Sequence, residues 1–133
     1  MDRKVILIVD DDPDFTARLN EFLTANGYRV LEAANGQEAL LVANRMAGVV
    51  SLVITDLALP GLNGFELIGN LTRKSTALKV IAITGVYKQP FLDVTTTMGA
   101  SAALRKPDAD KPIPAEWLDT VRRTLAMASA GSE

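Results

Sequence analysis

Val5-Ile6-Leu7-Ile8-Val9-Asp10-Asp11-Asp12-Pro13 decides how this chain folds. Its first five residues are apolar with no polar alternation, the pattern of a strand buried on both faces, as in parallel sheets. Asp12 can cap a following helix, and Pro13 suits the first helical turn because its missing N–H needs no partner there. Phe15, Leu19, Phe22 and Leu23 then recur on one helical face, and Asn26-Gly27 ends that helix. The stretch therefore reads as a buried strand, a short acidic turn and an amphipathic helix.

The same unit repeats outward. Tyr28 to Ala33 reads as a weaker strand, and Ala39, Leu40, Ala43 and Met46 as a second helical stripe that Gly48 stops. Ser51 to Thr55 is a third strand, ending at Asp56, with Pro60-Gly61 turning the loop beyond it. Phe65, Ile68 and Leu71 mark a third helix, and Lys79 to Ile83 a fourth strand ending at Thr84-Gly85. A fourth helix fits between Pro90 and Gly99, but the β-branched run Val94 to Thr97 predicts that it is short or mobile. Ser101 to Arg105 is a fifth, less apolar strand expected near an edge. A proline-rich loop leads to a last helix bearing Trp117, Leu118, Val121 and Leu125. Strands alternating with helices predict an α/β, doubly wound domain on a parallel sheet. We expect one domain over residues 1–128 and a frayed tail over 129–133.

The chain has 133 residues, a size for one domain. It has no Cys and no His, which removes disulfides, thiolate or imidazole metal sites, Ser-His-Asp triads and phosphohistidine on this chain. The net charge is −2 and the basic residues are scattered, so no nucleic-acid face is expected. No apolar run approaches the ~20 residues of a membrane span, and no signal peptide is evident. A cytoplasmic location is expected.

In open α/β sheets, ligands bind beyond the carboxyl ends of the strands. Those ends carry Asp10, Asp11 and Asp12, then Asp56, then Thr84, then Lys106. Singly these could be caps, turns and surface charge; together, at successive strand ends, they point to a site. Clustered carboxylates repel unless protonated or neutralised by a cation, and oxygen ligands alone suit Mg²⁺. A carboxylate can also attack phosphorus, with Lys and metal neutralising the phosphoryl oxygens.

The residues Ile8 to Pro13, Thr55 to Gly64, Ile83-Thr84-Gly85, and Gly99-Ala100-Ser101 leading to Lys106-Pro107 resemble the receiver domain of two-component response regulators, over Lys4 to Met127. The resemblance implies a flavodoxin-like fold with strand order 2-1-3-4-5. It implies that Asp56 is the phosphoacceptor and Thr84 the switch hydroxyl, with Lys106 pairing to the phosphoryl group. It implies Mg²⁺ held by Asp11 and Asp56, by Asp10 largely through water, and by the Ala58 carbonyl. The donor would be a histidine kinase or a phosphotransfer protein. A protein partner would read the face of the fourth predicted helix, the fifth strand and the last helix. The only chemistry expected is the chain's own phosphoryl transfer and dephosphorylation, not enzymatic turnover. No helix-turn-helix is visible, so a stand-alone receiver, a relay, or part of a longer chain is expected.

Some positions depart from the family's usual pattern. Ala103 stands where an aromatic residue often follows the switch hydroxyl, so that coupling cannot operate as such. Ala58 and Val86 flank the path of attacking water and are apolar, which points to slow self-dephosphorylation. Gly85 leaves room above the site. Two other readings compete: a haloacid-dehalogenase-like phosphatase with Asp10 as nucleophile, and a receiver-like binding module that is never phosphorylated.

Overall fold

A computed structural model describes residues 3–59, 61, 64–74, 78–85 and 99–127. Strand β1 (Val5–Val9) is buried along its whole length, as an apolar run without alternation requires. Asp12 caps helix α1 (Pro13–Ala25): its carboxylate accepts from the Asp14 and Phe15 amides at 3.0 and 3.4 Å, with Pro13 in the first turn. Strand β2 (Arg29–Ala33) follows, then helix α2 (Gly36–Arg45), capped by Asn35 through the Glu38 amide at 2.8 Å. Strand β3 runs Val50–Asp56, helix α3 Gly64–Lys74, strand β4 Lys79–Thr84 and strand β5 Ala102–Arg105. A C-terminal helix spans Glu116–Ala126. The predicted fourth helix and the tail at 129–133 lie outside the described residues.

All pairings are parallel, and the order is β2-β1-β3-β4-β5. This is the doubly wound arrangement expected, with β5 at an edge. Strand alternation divides the core into two layers. Ile6, Ile8, Ile54, Ile81 and Ile83 pack with Phe15, Leu19 and Leu23 of α1 and with Trp117 and Val121 of the C-terminal helix. Leu7, Val9, Val53 and Ala82 pack on the other face with Ala39 of α2 and with Leu67, Ile68 and Leu71 of α3.

The boundaries differ from expectation at two site residues, Asp56 and Thr84, each of which is the last residue of its strand. Strand β3 does not stop before Asp56 but includes it, because Asp56 still pairs with Ile83 of β4. The Leu57 amide then donates to the Ile83 carbonyl at 3.1 Å, prolonging the ladder past the acid. The backbone under Asp56 is sheet, not loop. Among the described residues, no helix is long and apolar enough to cross a membrane.

Candidate functional site

Parallel pairing brings the predicted residues to one rim. Because β1 lies beside β3, with Val9 opposite Thr55, Asp10 and Asp56 emerge as neighbours. Because β4 pairs with β5, Thr84 lies opposite Arg105, and the Lys106 amide donates to the Thr84 carbonyl at 2.8 Å. Five of the six predicted residues, Asp10, Asp11, Asp56, Thr84 and Lys106, thus come from the ends of four strands. The sixth, Ala58, is exposed, and its amide donates to Asp56 Oδ1 at 2.9 Å.

The side chains form a compact ionic cluster. Asp10 is 3% exposed and Asp56 7%. Asp10 Oδ1 accepts from the Asp12 amide at 2.8 Å, and Asp10 Oδ2 lies 3.0 Å from Lys106 Nζ. Lys106 Nζ is also 3.5 Å from Asp56 Oδ2 and 3.9 Å from Asp12 Oδ2. One ammonium therefore serves three carboxylates. Burial holds the Asp10 carboxyl above the ordinary carboxylate range, and the nearby Asp56 charge adds to this; the Asp12 amide and Lys106 oppose it without cancelling it. Burial pulls the Lys106 ammonium down, but the hydrogen bond to Asp10 and the charges of Asp10, Asp56 and Asp12 outweigh it, leaving the group above an ordinary lysine. Burial dominates the first shift, and the excess of negative charge over the single cation dominates the second.

Oxygens of Asp10, Asp11 and Asp56 all lie within 4.8 Å of one another, with Asp11 exposed. An all-oxygen set beside excess negative charge fits a hard divalent cation such as Mg²⁺. Both Asp10 oxygens are already engaged, which fits a role for Asp10 through an intervening water. Thr84 closes the fourth strand fully buried. Above it, a Cβ placed on Gly85 would meet nothing nearer than Lys106 Cβ at 3.7 Å, an ordinary contact, so there is room at that position. Val86 lies outside the described residues.

Two features escaped the sequence. Phe15, read only as core, has its ring centroid 4.6 Å from Lys106 Nζ. Its one visible signal was its place in the first turn of the helix that follows the acidic triplet. Gly64 is the other. A Cβ there would stand 2.5 Å from the Asp56 carbonyl oxygen and 2.5 Å from Leu57 Cα, both unyielding backbone. The Gly64 amide meanwhile donates to the Leu57 carbonyl at 3.2 Å, fixing the start of α3 against the end of β3. Gly64→Ala is expected to destabilise the protein by about 3 kcal/mol, read from urea unfolding. A midpoint equal to wild type would refute this close approach.

The chain is 35% identical over 124 residues to the transcriptional regulatory protein GlrR of Escherichia coli, covering 93% of this chain but only 27% of that protein. It is 30% identical over 125 residues to sporulation initiation phosphotransferase F of Bacillus subtilis, covering 93% of this chain and 95% of the relative. A response regulator protein from Burkholderia pseudomallei, solved with a phosphorylated aspartic acid, calcium ion and citrate, superposes with a TM-score of 0.74. It is 26% identical, and the match covers 92% of this chain and 66% of that one. These likenesses set the phosphatase reading aside. The sequence pattern of the response regulator receiver domain matches residues 6–116, and the chain belongs to that family: it is a receiver domain of two-component response regulators.

Proposed function

We propose that Asp56 accepts a phosphoryl group in a two-component phosphorelay, and that Thr84 and Lys106 bind that group once it is there. Asp10, Asp11, Asp56 and the Ala58 carbonyl would hold Mg²⁺. The observation that carries this reading is the meeting of three carboxylates within 4.8 Å of one another, with Lys106 Nζ 3.5 Å from Asp56 Oδ2. In the transfer, an Asp56 oxygen forms a bond to phosphorus while the bond from phosphorus to the donor's imidazole nitrogen breaks. The imidazole keeps the electron pair and takes up a proton. Lys106 stands where negative charge collects, and the Thr84 hydroxyl donates to a phosphoryl oxygen. Mg²⁺, when bound, supplies further positive charge to the phosphoryl oxygens.

The donor is a histidine kinase or phosphotransfer protein, and the work is done in the cytoplasm by a receiver spanning residues 1–128. The phosphorylated state shifts the populations of the segment from Thr84 to Arg105, and a protein partner reads the face that this segment builds with the C-terminal helix.

Intact mass after incubation with acetyl phosphate tests the reading. We expect one phosphoryl adduct with Mg²⁺ and none without it, located on Asp56 by borohydride reduction and peptide mapping. The adduct should decay over minutes or longer, since Ala58 offers attacking water no polar side chain. An adduct that forms without Mg²⁺ would overturn the metal role, and no adduct from either acetyl phosphate or a phosphohistidine donor would overturn the whole.

A further inference from the structure

Lys106 is held on two sides. The carboxylates of Asp10, Asp56 and Asp12 stand within 3.0 to 3.9 Å of its ammonium. The ring of Phe15 also lies against it, with Nζ 4.6 Å from the centroid. That ring is fully buried and meets Trp117 in a T-shaped contact, centroids 6.0 Å apart and planes at 71°. Trp117 is itself buried, on the first turn of the C-terminal helix. Arg18 lies 5.9 Å from the same ring, and its guanidinium donates to the Lys111 carbonyl, tying α1 to the loop that leads into that helix. An unbroken line of contacts therefore joins the ammonium to the C-terminal helix.

The opposite face of the sheet has no equivalent at the position expected for it. Ala103 is half-buried against the layer of α2 and α3 and brings no ring. An aromatic face attracts an ammonium electrostatically without offering a lone pair. Phe15 can thus confine Nζ to the rim while its N–H donors remain free to pass from one acceptor to another. A close-packed interior transmits a displacement rather than absorbing it.

Resting on the assignment of Lys106 to the phosphoryl group, we propose that Phe15 is a positioning residue for Lys106, and that the Phe15–Trp117 pair carries the displacement of its ammonium to the C-terminal helix. In the resting protein Nζ is drawn to Asp10. A phosphoryl group on Asp56 brings new negative oxygens that compete for it. The ammonium then shifts across the Phe15 ring, and the ring, which has no free space, repacks against Trp117.

Two readouts on wild type and Phe15→Leu test this, and the first needs no phosphorylation. In a ¹H–¹³C spectrum, the Lys106 ε-methylene protons should lie upfield of those of exposed lysines because of the ring current, and should lose that displacement in Phe15→Leu. Trp117 is the single tryptophan, so the emission comes from this ring alone, and the Phe15→Leu comparison isolates the part that depends on the contact. On adding acetyl phosphate and Mg²⁺, wild type should change emission in step with the adduct seen by intact mass. Phe15→Leu should still take the adduct, about fivefold more slowly, with the emission change lost.

Unshifted Lys106 protons in wild type would overturn the positioning role, whatever the phosphorylation result. An adduct without an emission change, or a full change in Phe15→Leu, would overturn the transmission. Absence of an adduct in wild type would instead count against Asp56 as acceptor, and would take the transmission step with it. Should Phe15→Leu fail to fold, Lys106→Met leaves the ring pair in place, and an emission response to the adduct unchanged from wild type would overturn transmission equally.

Discussion

Asp56→Asn is expected to remain unmodified in intact-mass spectra after incubation with acetyl phosphate and Mg²⁺, under conditions that convert wild type to a single adduct. The substitution keeps the shape of the side chain and removes its nucleophilic charge. Its Oδ1 can still accept from the Ala58 amide, which stands at 2.9 Å from Asp56 Oδ1. It forfeits the weaker approach of Lys106 at 3.5 Å. Against that loss, Asp10 is freed from the neighbouring charge that, with burial, raises its pKa. The two effects oppose, so folding stability should stay within about 1 kcal/mol of wild type, and the missing adduct could not be ascribed to unfolding.

The geometry also says which neighbour should not take over. The Asp10 side chain is fully covered, with one oxygen on the Asp12 amide and the other on Lys106, so no phosphodonor can reach it. Asp56 keeps 9% of its side chain exposed at the rim. A phosphoryl group found on Asp10 in the Asn variant would refute this account of access, and one found on Asp11 would move the acceptor.

The parts of this site that were legible in the sequence are those that a parallel sheet delivers automatically. When every strand points the same way, residues following the strands share one rim, so Asp10, Asp56, Thr84 and Lys106 could be grouped before any distance was known. The Asp12 cap was equally legible, because its partners lie within one turn. The stripe Phe15, Leu19, Leu23 has the same spacing whether its first ring merely fills the core or also lies against a cation. Which it does depends on where Lys106 reaches the rim, and periodicity is silent about that. Gly64 was hidden for a related reason: Pro60-Gly61 announced a turn, but the need for hydrogen in place of Cβ comes from the Asp56 carbonyl folding back over the start of α3. That is a contact between two elements, and neither element's own sequence encodes it.

Lys106→Ala should both slow phosphorylation and make the stability of the protein steeply pH-dependent. The rate of adduct formation from acetyl phosphate should fall about 10²-fold, the usual consequence of removing one preorganised positive group from a developing phosphoryl charge. The stability effect follows from Asp10. In wild type its carboxyl already titrates above its unfolded value, so the folded state holds the proton more tightly, and stability falls as pH rises through the folded pKa. Removing Lys106 deletes two of the influences that hold that pKa down, the hydrogen bond and the charge, while burial and the Asp56 charge remain. The fall with pH should then extend further upward and be deeper. Lys106 itself, titrating above an ordinary lysine, contributes fully at neutral pH and gives up its contribution only in the alkaline range. The difference between the two proteins should therefore be smallest in acid, where protonation of Asp10 removes the charge that the lysine balances, and widen to about 3 kcal/mol at neutral pH. Mg²⁺ at neutral pH should recover part of the loss, because a divalent cation among the same carboxylates replaces the missing charge. Urea unfolding of both proteins across this range, with and without Mg²⁺, checks the sign directly. A gap that is constant with pH would mean that Lys106 acts through packing on Phe15 alone, and that the excess negative charge at the rim is not what the lysine is there to balance.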